Sequence, residues 1–206
     1  MNKPVKTLEF DHGIVAKIYV DETATNPIQE EDSPVKVECW HRNYHFGNSH
    51  KFNARDDFEE YCKEHDVICL PIYMYDHSGI TVSTKPFSCP WDSGLVGCCW
   101  ITREEAKEFF ATDEDDKIEE ILHQTVKLLD DYLTGNVYGF VIEDDKGNHL
   151  DSCWGFFGDQ DGYITEEATG QAQYYVDEKA KEKLVYDTFC RSAVEKFLAT
   201  QLRPGI

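Results

Sequence analysis

Apolar and polar residues alternate with a period near two over much of the first half of the chain, and recur every three to four residues over stretches of the second half. Residues 5–10 and 14–20 alternate on either side of Asp11-His12-Gly13, a compact turn, and predict a hairpin. A loop over 22–34 carries Asn26-Pro27 and Ser33-Pro34 among acids and threonines. Residues 35–41 read as the next strand. Phe58, Tyr61 and Cys62 fall at helical spacing within 53–65, with Asn53 placed to cap the start. Residues 66–75 and 80–84 predict a second hairpin about Asp76-His77-Ser78-Gly79, and 95–101 a further strand.

Helical signals follow. Thr102 and Glu105 form a capping-box pattern ahead of a short helix running to Phe110. Thr112 precedes a strongly acidic first turn. Ile118, Ile121, Leu122, Val126, Leu129 and Leu133 then share one face, and Gly135 supplies the stop. Residues 137–143 and 149–156 predict a third hairpin about Asp144-Asp145-Lys146-Gly147-Asn148. After an acidic, glycine-bearing stretch over 158–170, a long helix is expected from about 177 to 202. Its stripe is Ala180, Leu184, Phe189, Val194, Phe197, Leu198 and Leu202.

Hairpins followed by helices argue for an α+β fold: an antiparallel sheet built from hairpins with helices packed on one face. No internal repeat or low-complexity segment divides the chain, which reads as a single domain over 1–206. The turns at 76–79 and 144–148 are expected in one sheet, covered by the helices near 113–134 and 177–202. Trp91, Trp154 and the turn at 75–79 are expected close together.

Composition narrows the class. Of 206 residues, 41% are hydrophobic and 13% aromatic, enough to fill a core. No apolar run approaches the roughly 18 residues of a membrane span, and the first ten residues do not read as a secretory leader. A cytoplasmic protein without membrane partners is expected. The eight cysteines (39, 62, 69, 89, 98, 99, 153 and 190) form no C-x-x-C pair and sit mostly in apolar runs, so reduced thiols without disulfides are expected.

Charge adds more. Forty Asp and Glu against twenty Lys and Arg give a formal net charge of −20. Such a surface repels nucleic acid and anionic lipid and attracts basic protein surfaces. The run Asp113, Glu114, Asp115, Asp116 could present phosphate-like spacing to a protein groove built for nucleic acid. Ordinary acidic solubility accounts for the same composition.

Candidate chemistry concentrates in Tyr75-Asp76-His77-Ser78-Gly79 and Pro86-Phe87-Ser88-Cys89-Pro90-Trp91-Asp92-Ser93-Gly94. Asp92-Ser93-Gly94 matches the aspartyl-protease triplet, but one copy supplies one of the two carboxylates that chemistry needs. Ser93 with His77 and Asp76, or Cys89 with His77 and a carboxylate such as Asp92, could form a nucleophile with its base. The competing reading is a pair of ordered turns whose polar side chains bond local amides, with Trp91 packed across the sheet. His41, His45 and His50 near Cys39 resemble half of a zinc site without its second half. Asp159, Asp161 and Glu166 could offer oxygen ligands but lack the EF-hand pattern. No phosphate-binding glycine loop, dinucleotide fingerprint or kinase set is present, so no cofactor or metal is expected.

Three groups of strings resemble an uncharacterised family of tailed-phage and prophage accessory proteins. They are Val37-Glu38-Cys39-Trp40-His41-Arg42-Asn43-Tyr44-His45-Phe46-Gly47; then the Tyr75–Gly79 and Cys89–Gly94 segments; then Tyr132-Leu133-Thr134-Gly135-Asn136-Val137-Tyr138-Gly139 with Leu150-Asp151-Ser152-Cys153-Trp154-Gly155-Phe156. The likeness spans roughly residues 35–158 and implies a viral or prophage accessory protein in the cytoplasm of the host cell. It assigns no catalytic role. With the charge, it leads to the expectation of an acidic, non-enzymatic protein that binds a basic host protein, inhibiting a nucleic-acid-binding defence factor by mimicry. Asp113, Glu114, Asp115, Asp116 and Trp91 are its binding candidates. The alternative is a small hydrolase or thiol-dependent enzyme centred on His77, Cys89 and Asp92.

Overall fold

The structure is a computed structural model that describes residues 3–30, 33–49, 51–159 and 162–201. The first hairpin forms from β1 (Lys6–Glu9) and β2 (Val15–Val20), the second from β4 (Val67–Asp76) and β5 (Ile80–Ser83), the third from β7 (Val137–Glu143) and β8 (His149–Phe157). With β3 (Lys36–Cys39) and β6 (Ser93–Thr102), these strands and five helices make an α+β fold.

The expectation of one sheet is corrected. Two antiparallel four-stranded sheets form, in the orders β1-β2-β7-β8 and β3-β6-β4-β5. The turns at 76–79 and 144–148 therefore belong to different sheets, as do Trp91 and Trp154. β2 pairs with β7 along its whole length, from Val15↔Glu143 to Val20↔Tyr138, while β4 pairs with β6. Alternation reveals which residues face a core, but not which strand lies alongside. Correspondingly, the chain divides into two compact units, Asp21–Val137 and one made of the two flanking segments.

In the flanking unit, α5 (Tyr163–Gln201) seats Ile164, Ala168, Ala172 and Val176 on Ile14, Ala16, Ile18, Phe140 and Ile142. The helix begins fourteen residues before the expected start. Its seat uses alanines, which bring the helix close to the sheet but leave no bulky stripe to read. Leu202, expected on the distal stripe, lies outside the described residues, as do the side chains of Phe197 and Leu198.

The unit Asp21–Val137 opens with α1 (Pro27–Glu30) inside the expected loop. Asn26 fixes that loop: its Nδ2 donates to the Phe46 carbonyl and its Oδ1 accepts from Ile28 N–H, both at 3.0 Å. α2 (Arg55–Glu64) starts after Ala54, so Asn53 is not its cap. α4 (Asp115–Leu133) buries Ile118, Leu122, Val126 and Leu129 against Val37, Ile72, Met74, Val82, Cys99 and Ile101. Residues alternate across β6, so Cys98 and Trp100 face the other way and pack with Phe58 of α2. A bulge at Ile72/Tyr73 shifts the β4–β6 register towards the start of β6. Among the described residues no helix is long and apolar enough to cross a membrane.

The capping box predicted for α3 (Arg103–Phe110) is present. Thr102 Oγ1 accepts from Glu105 N–H at 3.2 Å, while the Glu105 carboxylate accepts from the Thr102 hydroxyl at 2.8 Å and its N–H at 3.1 Å. Burial pushes the Glu105 carboxyl up, but these donors and the Lys36 ammonium outweigh it and hold the group below its ordinary value. A carboxylate depressed in the folded state stabilises the fold above its unfolded pKa, and the contribution is lost as pH falls through the depressed value. Thr102→Ala is expected to cost about 1 kcal/mol at neutral pH. It should raise the Glu105 titration midpoint measured by NMR, and the stability gap to wild type should narrow below about pH 4.

Candidate functional site

Two turns at one end of the β3-β6-β4-β5 sheet carry the candidate chemistry. β4 ends at Asp76, and the turn into β5 places Ser78 at φ 60°, closed by His77 N–H donating to the Gly79 carbonyl at 3.0 Å. The segment entering β6 lies beside it, because β4 and β6 pair down to Tyr75↔Ser93. Asp76 N–H donates to the Asp92 carbonyl at 2.8 Å and ties the two turns together. The expected adjacency of residues 76–79 and 91–94 is therefore met. Trp154 belongs to the other sheet, on β8, stacked on Tyr19 at 6.3 Å.

Asp92 is the hub. Its Oδ2 lies 3.6 Å from His77 Nδ1 and 3.8 Å from Cys89 Sγ. A thiol or hydroxyl nucleophile needs its base within hydrogen-bond reach, about 2.6–3.2 Å. Here the imidazole faces the carboxylate, and the carboxylate meets the thiol. The Ser93 hydroxyl donates to the Cys89 carbonyl and closes its own turn. Asp76, His77, Cys89, Asp92 and Ser93 are thus gathered, but in the bonding pattern of two coupled turns.

The aromatic surroundings are more open. Tyr75 lies between His77, at 5.8 Å, and Phe87, at 5.7 Å. Tyr44 stacks on His41 at 4.9 Å and donates its hydroxyl to Asp76 Oδ2 at 2.7 Å, a bond that raises the Tyr44 phenol above its ordinary pKa. Trp91 does not pack across the sheet as the turn reading expected; it is 91% exposed. It overlooks a cleft of about 400 Å³ bordered by His41, Asp76, Asp92, Ser93 and Leu95. A second cleft of about 340 Å³ shares His41 and Leu95 with it and adds Trp40 and Arg42. A third, about 290 Å³ and largely apolar, is lined by Trp40, Leu95 and three cysteines, Cys62, Cys69 and Cys98. Burial pushes the Cys98 and Cys99 thiols far up, so both are held protonated. Trp40 and Tyr44 stood out in the sequence only within the phage-like string and His41 also as part of the half zinc site, while Leu95 carried no signal.

The acidic run is less available than it read. Arg103 bridges Asp66 and Asp115, each at 2.8 Å, Lys107 lies 3.4 Å from Asp113, and Lys117 pairs with Glu114 at 2.7 Å. Three of the four carboxylates therefore face a cation at close range, and all four are exposed. Charge is nevertheless unevenly spread: Asp21–Val137 contains 25 of the 40 acids and 10 of the 20 Lys and Arg.

Among the described residues, the members of the half zinc site have other partners. Cys39 Sγ donates to the Tyr44 carbonyl at 3.3 Å, and His41 is engaged with the Tyr44 ring. His50 and Asp161 lie outside the described residues. Among the described residues, no group of three His, Cys, Asp or Glu side chains could hold a metal ion. Comparison of the chain with protein-family models, curated proteins and solved structures gives no match.

Proposed function

We propose that the chain is a phage-encoded accessory protein that binds a basic surface of a host protein, and that this surface is the nucleic-acid-binding face of a defence factor. The observation that carries the reading is Trp91, standing almost fully exposed beside the Asp76 and Asp92 carboxylates on the more acidic of the two units. An exposed indole offers its π-face to an arginine or lysine, and neighbouring carboxylates accept charge-assisted hydrogen bonds from a guanidinium. The wider negative field accelerates encounter with a basic groove. The run Asp113–Asp116 contributes to that field, whereas Trp91 and Asp92 make the short-range contact. The likeness to phage accessory proteins supplies the biological setting.

Affinity capture from infected host cells, followed by protein identification, tests the proposal. The captured partner is expected to bind DNA or RNA alone and to release it as the chain is titrated in. Binding should weaken as salt rises, since exposed charges are screened beyond about 8–10 Å. Trp91→Ala should weaken it by about 2 kcal/mol, mainly through faster dissociation. Replacing Asp113, Glu114, Asp115 and Asp116 by Asn and Gln should mainly slow association. A partner indifferent to salt and to Trp91→Ala would overturn the reading. The second reading, a thiol-dependent enzyme, draws on Asp92 lying within 4 Å of both His77 and Cys89. Cys89→Ala separates the two, because it removes the nucleophile but should leave capture unchanged.

A further inference from the structure

The first part of β6 has an open edge. On one side β4 pairs with β6 along its whole length, from Val67↔Thr102 to Tyr75↔Ser93. On the other side β3 covers only Gly97–Trp100, and its ladder closes where Trp40 N–H donates to the Val96 carbonyl at 2.8 Å. Among the described residues, no strand lies beside Ser93–Leu95 on that side.

The hydrogen bonds show which backbone groups this edge presents. In an antiparallel ladder, successive residues turn their N–H and C=O to opposite sides of the strand. Asp76 N–H donates to the Asp92 carbonyl, so Asp92 and Gly94 address β4, while Ser93 and Leu95 turn away from it. The Val96 carbonyl also turns away, because the bulge at Ile72/Tyr73 shifts the alternation by one residue. Leu95 and Val96 thus both address the β3 side. A regular strand cannot match that pattern, and β3 departs at Trp40. Ser93 and Leu95 remain in register for another strand, beside the cleft of about 340 Å³ bordered by Trp40, His41, Arg42 and Leu95. An exposed edge of this kind is a template for strand pairing.

We propose that the host partner docks an extended segment on this edge as an added strand, its apolar and basic side chains alternating. The inference rests on the host-binding reading and names how that contact is made. Strand addition draws affinity from main-chain hydrogen bonds and specificity from pockets for alternate side chains. Each face of the edge supplies one. Leu95 lines the apolar cleft of about 290 Å³ together with Trp40 and Cys98. A residue opposite Leu95 shares that face, so its site is apolar. Gly94 pairs with Met74 on the other face, two residues from Asp92 as Met74 is from Asp76. A residue opposite Gly94 therefore meets both carboxylates, with the Trp91 indole bordering the same cleft. An arginine or lysine fits there. Exposure agrees, since Gly94 is exposed and Leu95 is 38% exposed. A second copy of the chain is the poorer occupant, because self-pairing here sets two chains of net charge −20 against each other.

The probe is a short capped peptide alternating leucine and arginine, titrated into the full chain at about 0.15 M salt. It is expected to bind, and the Ser93 and Leu95 amides should then gain protection from hydrogen exchange. The peptide residues opposite Ser93 and Leu95 point their N–H groups at β6, and these are the leucines. N-methylating the leucines should weaken binding at least about tenfold, and N-methylating the arginines less than about threefold. A peptide of the same composition with its leucines and arginines in two blocks should bind at least about tenfold more weakly. Leu95→Pro removes an edge N–H that β4 does not use and should match the leucine-methylated peptide. Should that variant not fold, the two methylated peptides decide alone. No binding, or equal affinity for the two methylated peptides or for the block peptide, overturns the proposal. So do Ser93 and Leu95 amides as protected in the free chain as Gly94, because the edge would then be covered from within. Host-protein capture lost in Trp91→Ala but intact in Leu95→Pro sinks the added strand and keeps the host-binding reading. Edge-specific peptide binding without capture of a host protein does the reverse.

Discussion

Gly97→Ala is expected to destabilise the unit Asp21–Val137 strongly. A Cβ at position 97 would sit 1.9 Å from the Glu38 carbonyl oxygen and 3.3 Å from Cys39 Cα. Overpacking costs about 1–3 kcal/mol where side chains can yield. Here backbone must yield, and it is held on both sides: Cys39 pairs with Gly97, Glu38 with Cys98, and Trp40 N–H donates to the Val96 carbonyl at 2.8 Å. A loss of at least about 3 kcal/mol is expected, against a typical total of 5–15 kcal/mol. Gly94→Ala on the same strand is the control. Nothing lies within 4 Å of the added carbon, and the residue is not in the left-handed region. That change should be neutral, or stabilising by about 0.4–1 kcal/mol through the unfolded chain. Urea denaturation followed by fluorescence resolves the two, since Trp40, Trp91 and Trp100 all belong to this unit. Equal midpoints for Gly97→Ala and wild type would show that the β3–β6 contact is looser than described.

Leu122→Ala is expected to lower stability by about 2–5 kcal/mol. Leu122 is fully buried at the middle of the α4 stripe, between Ile118 and Val126, in the larger of the apolar clusters. The spread reflects how far Cys99, Ile101 and Ile72 can close over the gap. The urea midpoint should fall with an unchanged slope. Gln124→Ala, exposed on the same helix, should stay within about 0.5 kcal/mol. If Leu122→Ala behaved like Gln124→Ala, α4 would not be the lid of this core.

Much of the local structure was legible. Thr102 and Glu105 identified a capping box because a side chain three residues away can reach only one backbone amide in that geometry. The α4 stripe and its stop at Gly135, with φ 71°, were equally local. Where reading stopped short, the reason was also local. Asn53 was placed one residue early as a cap. The start of α5 was hidden by alanines, whose packing value depends on a neighbouring sheet. The closeness of Asp76 to Asp92 was anticipated from two turn-rich strings, but the roles within that pair were not. Only the fold turns the Cys89 thiol towards Asp92, spends the Ser93 hydroxyl on a carbonyl, and leaves Trp91 in solvent.

By itself, then, the sequence determined the elements, the α+β class, the acidic balance and the residues worth watching, because these depend on periodicity, capping and charge within a few residues. Tertiary structure alone decided that β2 recruits β7 and β4 recruits β6, giving two sheets where one was expected. It alone decided that Arg103 joins Asp66 to Asp115. It alone decided that α5 runs on from Val176 over 177–196 without a buried side chain. The strand pairings and the Arg103 bridge to Asp66 are contacts between distant positions. Alternation and amphipathic spacing state that a face must be covered, and leave open which surface will cover it.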